Sequence, residues 1–384
     1  MEILFKGATI YPISSQPFKG DILIKNGLIE DIGENIDSSN AELVDVSGKY
    51  IFPGFIDAHS HIGVSEEGVG YYYDDTNEMT DPVTAEVRVL DAFYPEDSAI
   101  NRALAGGVTT VFVVPGSANP IGGQGAIIKF KSKIVDEMVL KQPAGLKMAT
   151  GENPKRVYSE KKQMPGTRLG VGAIIRKYFQ KVRNYMKKKE NAAKENKEFD
   201  ETDIQLEVGE MVLRREIPAR IHAHRADDIL TGIRIAEEFG FDAVIEHATE
   251  GYKIADYLKK KNIPVILGPL FGTRSKLELK DATYEAVKII NEKGILAAMM
   301  CDHPVLHLEL ANINLGTALR YGSKEEDLLK MVTINPAKII GIDNRTGTLD
   351  KGKDADLVVW NEHPFNLSAR AEQVYIEGKK VFSL

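Results

Sequence analysis

The chain has 384 residues, 43% hydrophobic and 27% charged, ordinary globular values that exclude a mainly disordered polymer. Its 49 basic and 56 acidic residues leave a formal charge of −7, which argues against a protein held on nucleic acid by a broad basic face. Cys301 is the single cysteine, so an intrachain disulfide, a CxxC redox pair and a cysteine-rich zinc module are all excluded.

This length fits two to three domains, or one barrel of about 250 residues with a smaller companion. Residues 1–52 read as short strands broken by turns. Glu2–Ile10 comes first, Asp21–Ile24 and Leu28–Ile32 flank the Asn26-Gly27 turn, and Leu43–Val46 follows. Asn-Gly between apolar runs is a strong hairpin signal. The first ten residues lack the basic and then apolar pattern of a secretory signal, and no run approaches 18 apolar residues. A cytoplasmic protein without membrane contact is the expectation.

Strands then alternate with helical stretches. Candidate strands are Phe55–His59, Thr109–Val114, Ala126–Phe130, Gly145–Thr150, Ala219–Ala223, Asp242–Glu246, Pro264–Gly268 and Ile295–Cys301. Most are short apolar runs without alternation, as in parallel strands buried on both faces. Helical patterns fill Pro95–Ala105, Asp228–Phe239, Tyr252–Lys261, Thr283–Lys293 and Lys324–Val332. No clear helix follows Ala126–Phe130, so the third unit is expected to be irregular. Arg176–Glu198 departs from the repeat as a Lys-rich insertion with one apolar stripe, expected to be a solvated face. Near the end, Ala355–Trp360 is a strand-like run, and Gln373–Ile376 and Lys380–Phe382 bracket a turn at Gly378. Eight βα units predict a (β/α)8 barrel, with an open doubly wound sheet as the alternative. The two strand-rich ends are expected to pair into one small domain.

The chemistry lies at the strand ends. His59-Ser60-His61 closes the first barrel strand, and residues i and i+2 of a strand share a face, so both imidazoles can converge on one metal ion. His222, His247 and Asp302 also fall at strand C-termini, the face where barrel active sites are built. Six of the eight histidines, His59, His61, His222, His224, His247 and His303, sit beside such ends. His307 reads as loop or helix packing and His363 as surface.

These residues carry a resemblance. The stretches Phe52-Pro-Gly-Phe-Ile-Asp-Ala-His-Ser-His61, Ala105-Gly-Gly-Val-Thr-Thr110, Ile221-His-Ala-His224, Ile245-Glu-His247, Asp302 and Gly347-Thr-Leu-Asp-Lys-Gly-Lys-Asp-Ala-Asp-Leu-Val-Val-Trp360 resemble the amidohydrolase superfamily, in the branch of imidazolonepropionase and the metal-dependent Xaa-Pro dipeptidases. The resemblance implies an α/β fold, a distorted (β/α)8 TIM-like barrel over 53–345, with a composite β-sandwich from 1–52 plus 346–384. It implies that His59, His61, His222 and Asp302 bind a metal. His247 would hold a second ion in binuclear members, or face the reacting carbonyl in mononuclear ones. Binuclear members need a bridging group, often a carbamylated lysine at the end of strand four. Here Lys147 falls early in that strand, and Glu152 is the preferred bridge, with a Lys147 carbamate and a single-metal site left open.

Neutral imidazoles and carboxylates suit Zn2+, which lowers the pKa of bound water from about 15.7 towards about 7. Asp302 is expected to move the proton between water and leaving nitrogen. Arg225 is a candidate clamp for a substrate carboxylate, against a surface ion pair with Asp227 or Asp228. His224 and Gln124 are further candidate substrate contacts, Gln124 in a glycine-rich loop Ser117–Gly125. Ser65–Pro82, with Tyr71-Tyr72-Tyr73, is a candidate lid or subunit contact in a possible homo-oligomer. The expected activity is hydrolysis of a C–N amide bond in a small cyclic or peptide-like molecule by a metal-activated hydroxide, with one or two ions. A deaminase of a ring C–N carbon could use the same ligands. A non-catalytic scaffold would have lost them.

Overall fold

Two sheets of eight strands carry the chain, one nested inside the sequence limits of the other. The computed structural model describes every residue except Met1, Val69 and Tyr71–Tyr73, so the tyrosine run of the expected lid lies outside the described residues. Five strands come first: β1 (Glu2–Ile10), β2 (Phe18–Lys25), β3 (Leu28–Gly33), β4 (Glu42–Asp45) and β5 (Tyr50–Pro53). The inner sheet follows as β6 (Phe55–Ser60), β7 (Val108–Val113), β8 (Ile121–Lys129), β9 (Val139–Ala149), β10 (Ala219–Ala223), β11 (Ala243–His247), β12 (Val265–Leu267) and β13 (Ala297–Met299). The chain ends with β14 (Leu357–Trp360), β15 (Ala371–Ile376) and β16 (Lys379–Ser383).

The two ends pair as expected. Strand β14 lies antiparallel to β5, with Leu357 opposite Pro53 and Trp360 opposite Tyr50. Alternation gives the joined sheet two apolar faces. Ile51, Leu357 and Val359 pack with Ile3, Phe5 and Ile22, whereas Phe52, Val358 and Trp360 join the main core around the barrel. Gly107 is obligatory at this junction. It has φ +77°, and a Cβ there would lie 2.4 Å from the Trp360 ring. Lys129, fully buried, ties barrel to end sheet through Asp354 at 2.6 Å and Asp356 at 2.8 Å.

The inner sheet is a nearly closed barrel in which sequence neighbours are spatial neighbours from β6 to β13. Its third unit corrects the sequence reading. Strand β8 begins at Ile121, five residues earlier than expected, and runs antiparallel to both β7 and β9. Only one helical turn, Val135–Met138, separates β8 from β9, too short to carry the chain back across the barrel for a parallel return. The backbone between β13 and β6 is satisfied by a segment outside the strands: the Met331 carbonyl accepts from the Met299 N–H at 3.0 Å and the Val332 carbonyl from Ile56 at 2.7 Å. Inside, Ile56, Ala58, Phe112, Val244, Ile266 and Ala298 pack on Ala337, Ile339 and Ile340 of the helix Ile334–Ile340, which plugs the end opposite the histidines.

The Lys-rich region lies in one helix, Arg168–Lys194, whose Ile175, Tyr178, Phe179, Val182 and Tyr185 are buried while its lysines point outward. Phe179 packs against the tilted rings of Phe239 and Phe241, so the stripe is core and the charged face is solvated. His363 corrects the surface reading: its ring packs against Tyr11, Phe52 and Phe365. No helix among the described residues is long and apolar enough to cross a membrane.

Candidate active site

Local breaks in strand geometry aim the ligands. Ile56 and Ala58 face the barrel interior, so strict alternation would turn His59 outward. The pairing of β6 with β7 is irregular between Asp57 and Ser60. There the Asp57 carboxylate accepts from the N–H groups of His59 at 2.9 Å and Cys301 at 2.8 Å. Burial pushes that carboxyl up to about 7. The break brings the His59 ring to 5.1 Å from His61, the convergence that HxH spacing predicted. On β11, Val244 and Glu246 point inward, and His247 follows them because its φ is +69° and that of Ala248 +44°. Asp302 also has a positive φ, +54°. Non-glycine residues in this region carry strain of about 1–3 kcal/mol each, which packed surroundings sustain at functional sites.

Two triads result: His59, His61 and Asp302 form one, and His222, His224 and His247 the other, the ligand atoms of each lying within 4.8 Å of one another. Asp302 Oδ1 is 3.1 Å from His59 Nε2 and 3.3 Å from His61 Nε2. The His222 and His247 rings are 4.3 Å apart and the His59 and His247 rings 5.2 Å apart, so the triads are contiguous. Outer partners set the ring tautomers. His61 Nδ1 donates to the Val114 carbonyl at 2.7 Å and turns Nε2 towards Asp302, whereas His247 Nδ1 donates to the Gly268 carbonyl at 2.9 Å and leaves its Nε2 a bare lone pair. His224 Nδ1 lies 2.7 Å from Thr249 Oγ1.

The donor set fits divalent metal ions. His222 Nδ1 and His224 Nε2 are buried without a hydrogen-bond partner among the described residues, an expensive state that a metal would relieve. Burial holds His222 and His224 well below the usual histidine range, and His247 down to about 3, so all three imidazoles are neutral. Asp302 stays well below the carboxylate range although burial opposes this, because His59 and His61 hydrogen-bond it.

Beneath the triads lies a charge hub that sequence reasoning did not single out. Glu246, fully buried, meets His59 Nδ1 at 3.0 Å, Arg220 Nε at 2.9 Å and Lys147 Nζ. Arg220 also donates to the Ala58 carbonyl at 2.5 Å and stacks on Phe112. Burial raises the Glu246 pKa, but His59, Lys147 and Arg220 outweigh it and keep the carboxylate charged. A signal was present: Lys147, Arg220 and Glu246 are charges inside the apolar runs 145–149, Ala219–Ala223 and Ala243–His247, and such residues stay buried only when paired.

Three expected site residues are placed elsewhere. Glu152 opens the helix Glu152–Glu160 and lines a separate groove with Arg156, Arg168 and Arg225. Lys147 reaches the cavity instead. It pairs in register with Arg220, two residues before His222, and its four-carbon stem makes up the difference. Arg225 is locked in a bidentate ion pair with Asp227 at 2.9 and 3.0 Å, the surface alternative to the carboxylate clamp. Gln124 is not in a loop but in β8, where its amide donates to the carbonyls of Ala85 and Glu86 at 3.2 Å, outside the cavity lining. His224 does reach the cavity, as a member of a triad. His303 is outside the cavity lining and packs towards His307, with neither ring nitrogen partnered among the described residues.

The triads form the floor of a cavity of about 740 Å3. Its walls include Asp74, Asn77, Ser117 and Asn153 on one side and the segment Pro269–Lys276 on the other.

Comparison with known proteins gives the following. Residues 50–381 match the model of the Amidohydrolase family. A solved amidohydrolase from Thermotoga maritima MSB8 is 64% identical, covers 100% of both chains and superposes with a TM-score of 0.99. The amidohydrolase tasK of Hapsidospora irregularis is 28% identical over 94% of this chain, which spans only 40% of that protein's length. An imidazolonepropionase of Mesorhizobium japonicum is 23% identical over 92% of this chain and 89% of its own. A solved Xaa-Pro dipeptidase, 16% identical over 99% of each chain with a TM-score of 0.62, shares the fold.

Proposed function

This chain belongs to the amidohydrolase family, and from that membership we propose that it hydrolyses a C–N amide bond in a small cyclic or peptide-like molecule, using one or two divalent ions, zinc foremost. The observation that carries this reading is the pair of contiguous triads on the floor of one cavity. A bound ion would lower the pKa of water and polarise the substrate carbonyl. His59, His61, His222 and Asp302 would hold one ion, and His224 with His247 would complete a second position. Lys147 takes the strand-four place that Glu152 does not reach.

The residues then divide the work. Asp302 is kept ionised by its two histidine neighbours, so it can accept the proton of the attacking water and pass it to the leaving nitrogen. His247 is held neutral by burial, with Nδ1 engaged, so its Nε2 faces ion or substrate without a competing proton. Glu246 fixes the His59 ring from behind.

A hydrolysis screen of N-acyl amino acids, dipeptides and cyclic amides with zinc-loaded protein tests the proposal. Turnover of at least one amide class is expected. Turnover confined to amino-substituted ring compounds, with ammonia release, would overturn it in favour of a deaminase.

A further inference from the structure

Three cations line the cavity, and their partners differ. Lys147 is committed to Glu246. Arg274 sits at the exposed rim, donating to the Ala282 carbonyl at 2.7 Å. Lys276 is inside the wall, its side chain 19% exposed, and its nearest carboxylate oxygen, Glu278 Oε2, is 4.0 Å away. Glu278 divides its carboxylate: Oε1 accepts from Arg168 at 3.0 Å and from the Glu152 N–H at 2.7 Å, while Oε2, turned towards Lys276, has no hydrogen-bond partner among the described residues. Among the described residues the one hydrogen-bond partner of Lys276 Nζ is a neutral oxygen, Asn153 Oδ1, at 3.2 Å. Burial lowers its pKa, with Glu278, Asp302 and Glu152 opposing from a distance. A largely buried ammonium that faces a cavity, with its nearest carboxylate among the described residues at 4.0 Å, is only partly compensated.

Its position relative to the triads is also defined. The Asn153 amide that accepts from Lys276 presents its nitrogen 3.4 Å from His222 Nε2 and 2.8 Å from Ser117 Oγ. One carboxamide group therefore separates the Lys276 ammonium from a triad histidine. In an amide of an amino acid, the nitrogen and one Cα separate the scissile carbonyl carbon from the carboxylate, a span of similar size. Leu270, Phe271, Leu279 and Val305 on the same cavity supply an apolar wall for a side chain.

We propose that Lys276 binds a substrate carboxylate, and that the substrates are amides of apolar amino acids whose free carboxylate lies next to the scissile C–N bond. This rests on the amide-hydrolase reading for the bond cleaved, but not for the carboxylate site. Asn153 is a positioning residue that aligns Lys276 with His222.

The test is calorimetric binding to zinc-loaded protein of N-methanesulfonyl-L-leucine, which water does not cleave, and of its carboxamide. Wild type is expected to bind the acid roughly ten- to a hundredfold more tightly, the range of a charge-assisted hydrogen bond. Lys276→Met should bring the two within about twofold, and Lys276→Arg should keep most of the preference. Equal zinc content and near-UV circular dichroism establish that the variants are folded, with Lys276→Gln as the substitute if Lys276→Met is not. Equal binding of acid and amide by wild type would overturn the proposal. So would an undiminished preference in Lys276→Met, which would place the carboxylate on the metal or on Arg274. If the preference behaves as expected while no N-acyl amino acid or dipeptide is cleaved, the proposed substrate class fails and the carboxylate site stands; the amide-hydrolase reading itself fails only if cyclic amides are not cleaved either.

Discussion

Glu246 Oε2 lies 3.0 Å from His59 Nδ1, and neither side chain has any exposure to solvent. The contact leaves His59 Nε2 for the opposite side, 3.1 Å from Asp302 Oδ1, where an ion would sit. It also makes Glu246 the counter-charge for Arg220 and Lys147. Outer partners of this kind are worth about 10–100-fold in metal affinity. Glu246→Gln should therefore weaken zinc binding by roughly that factor, measured by competition with a chelating dye. Glu246→Leu should also destabilise the metal-free fold by about 3–5 kcal/mol, because it strands two buried cations. Unchanged unfolding in both variants would remove the hub from this account.

Single alanine changes at His59, His61 or His222 should reduce metal content and abolish turnover. Each removes an imidazole from a site without a spare donor. Elemental analysis of each variant checks this, and full activity at native metal content would contradict the ligand assignment.

Nuclearity follows from the second triad. Fully loaded wild type should hold about two ions, and His224→Ala or His247→Ala should lose roughly one. Glu152→Gln should leave the stoichiometry unchanged, since Glu152 faces a separate groove. Lys147→Met should lower it, since Lys147 lines the cavity and, released from Glu246 as a carbamate, would supply the bridging oxygens. The opposite pattern at these two positions would restore Glu152 as the bridge.

Asp302→Asn separates ligand from proton carrier. The amide keeps an oxygen for the metal but is too weak a base to take a proton. At saturating metal, kcat should fall about 10²–10⁴-fold, the contribution of general acid–base catalysis. Recovery to within a few-fold of wild type would leave Asp302 as a ligand only.

Acid stability should be limited in part by His303. Its side chain is buried, neither ring nitrogen has a partner among the described residues, and burial lowers its pKa to about 4. An unfolded histidine titrates near 6.5, so between about 6.5 and 4 the unfolded chain binds the extra proton. Its contribution is fully present above about pH 6.5 and falls as pH drops towards 4, on the order of 3 kcal/mol in all. Denaturant titrations of metal-free His303→Phe across this window should show a shallower loss than wild type. Identical slopes would exclude His303 as a contributor.

What the sequence determined by itself was the set of strand ends and the chemistry they carry. The parallel-strand runs, the HxH spacing, and His222, His247 and Asp302 at strand C-termini are local patterns, and the end-pairing was legible because both ends are strand-rich. Even there the convergence of His59 needed a break in β6, and His247 a left-handed backbone, neither of which periodicity encodes. Tertiary structure decided the rest, because it depends on reach and on competition for partners. Glu152 looked better placed than Lys147 along the chain, yet the lysine stem rises from the layer below into the cavity while the glutamate turns into another groove. Arg225 was lost to Asp227, two residues away, because a bidentate partner within reach outcompetes a distant ligand. Gln124 was fixed by backbone carbonyls of Ala85 and Glu86, brought to it from about forty positions earlier by packing alone. Lys276 carried no motif at all. Only the folding of its loop against Asn153, with Glu278 no nearer than 4.0 Å, leaves its charge facing the cavity.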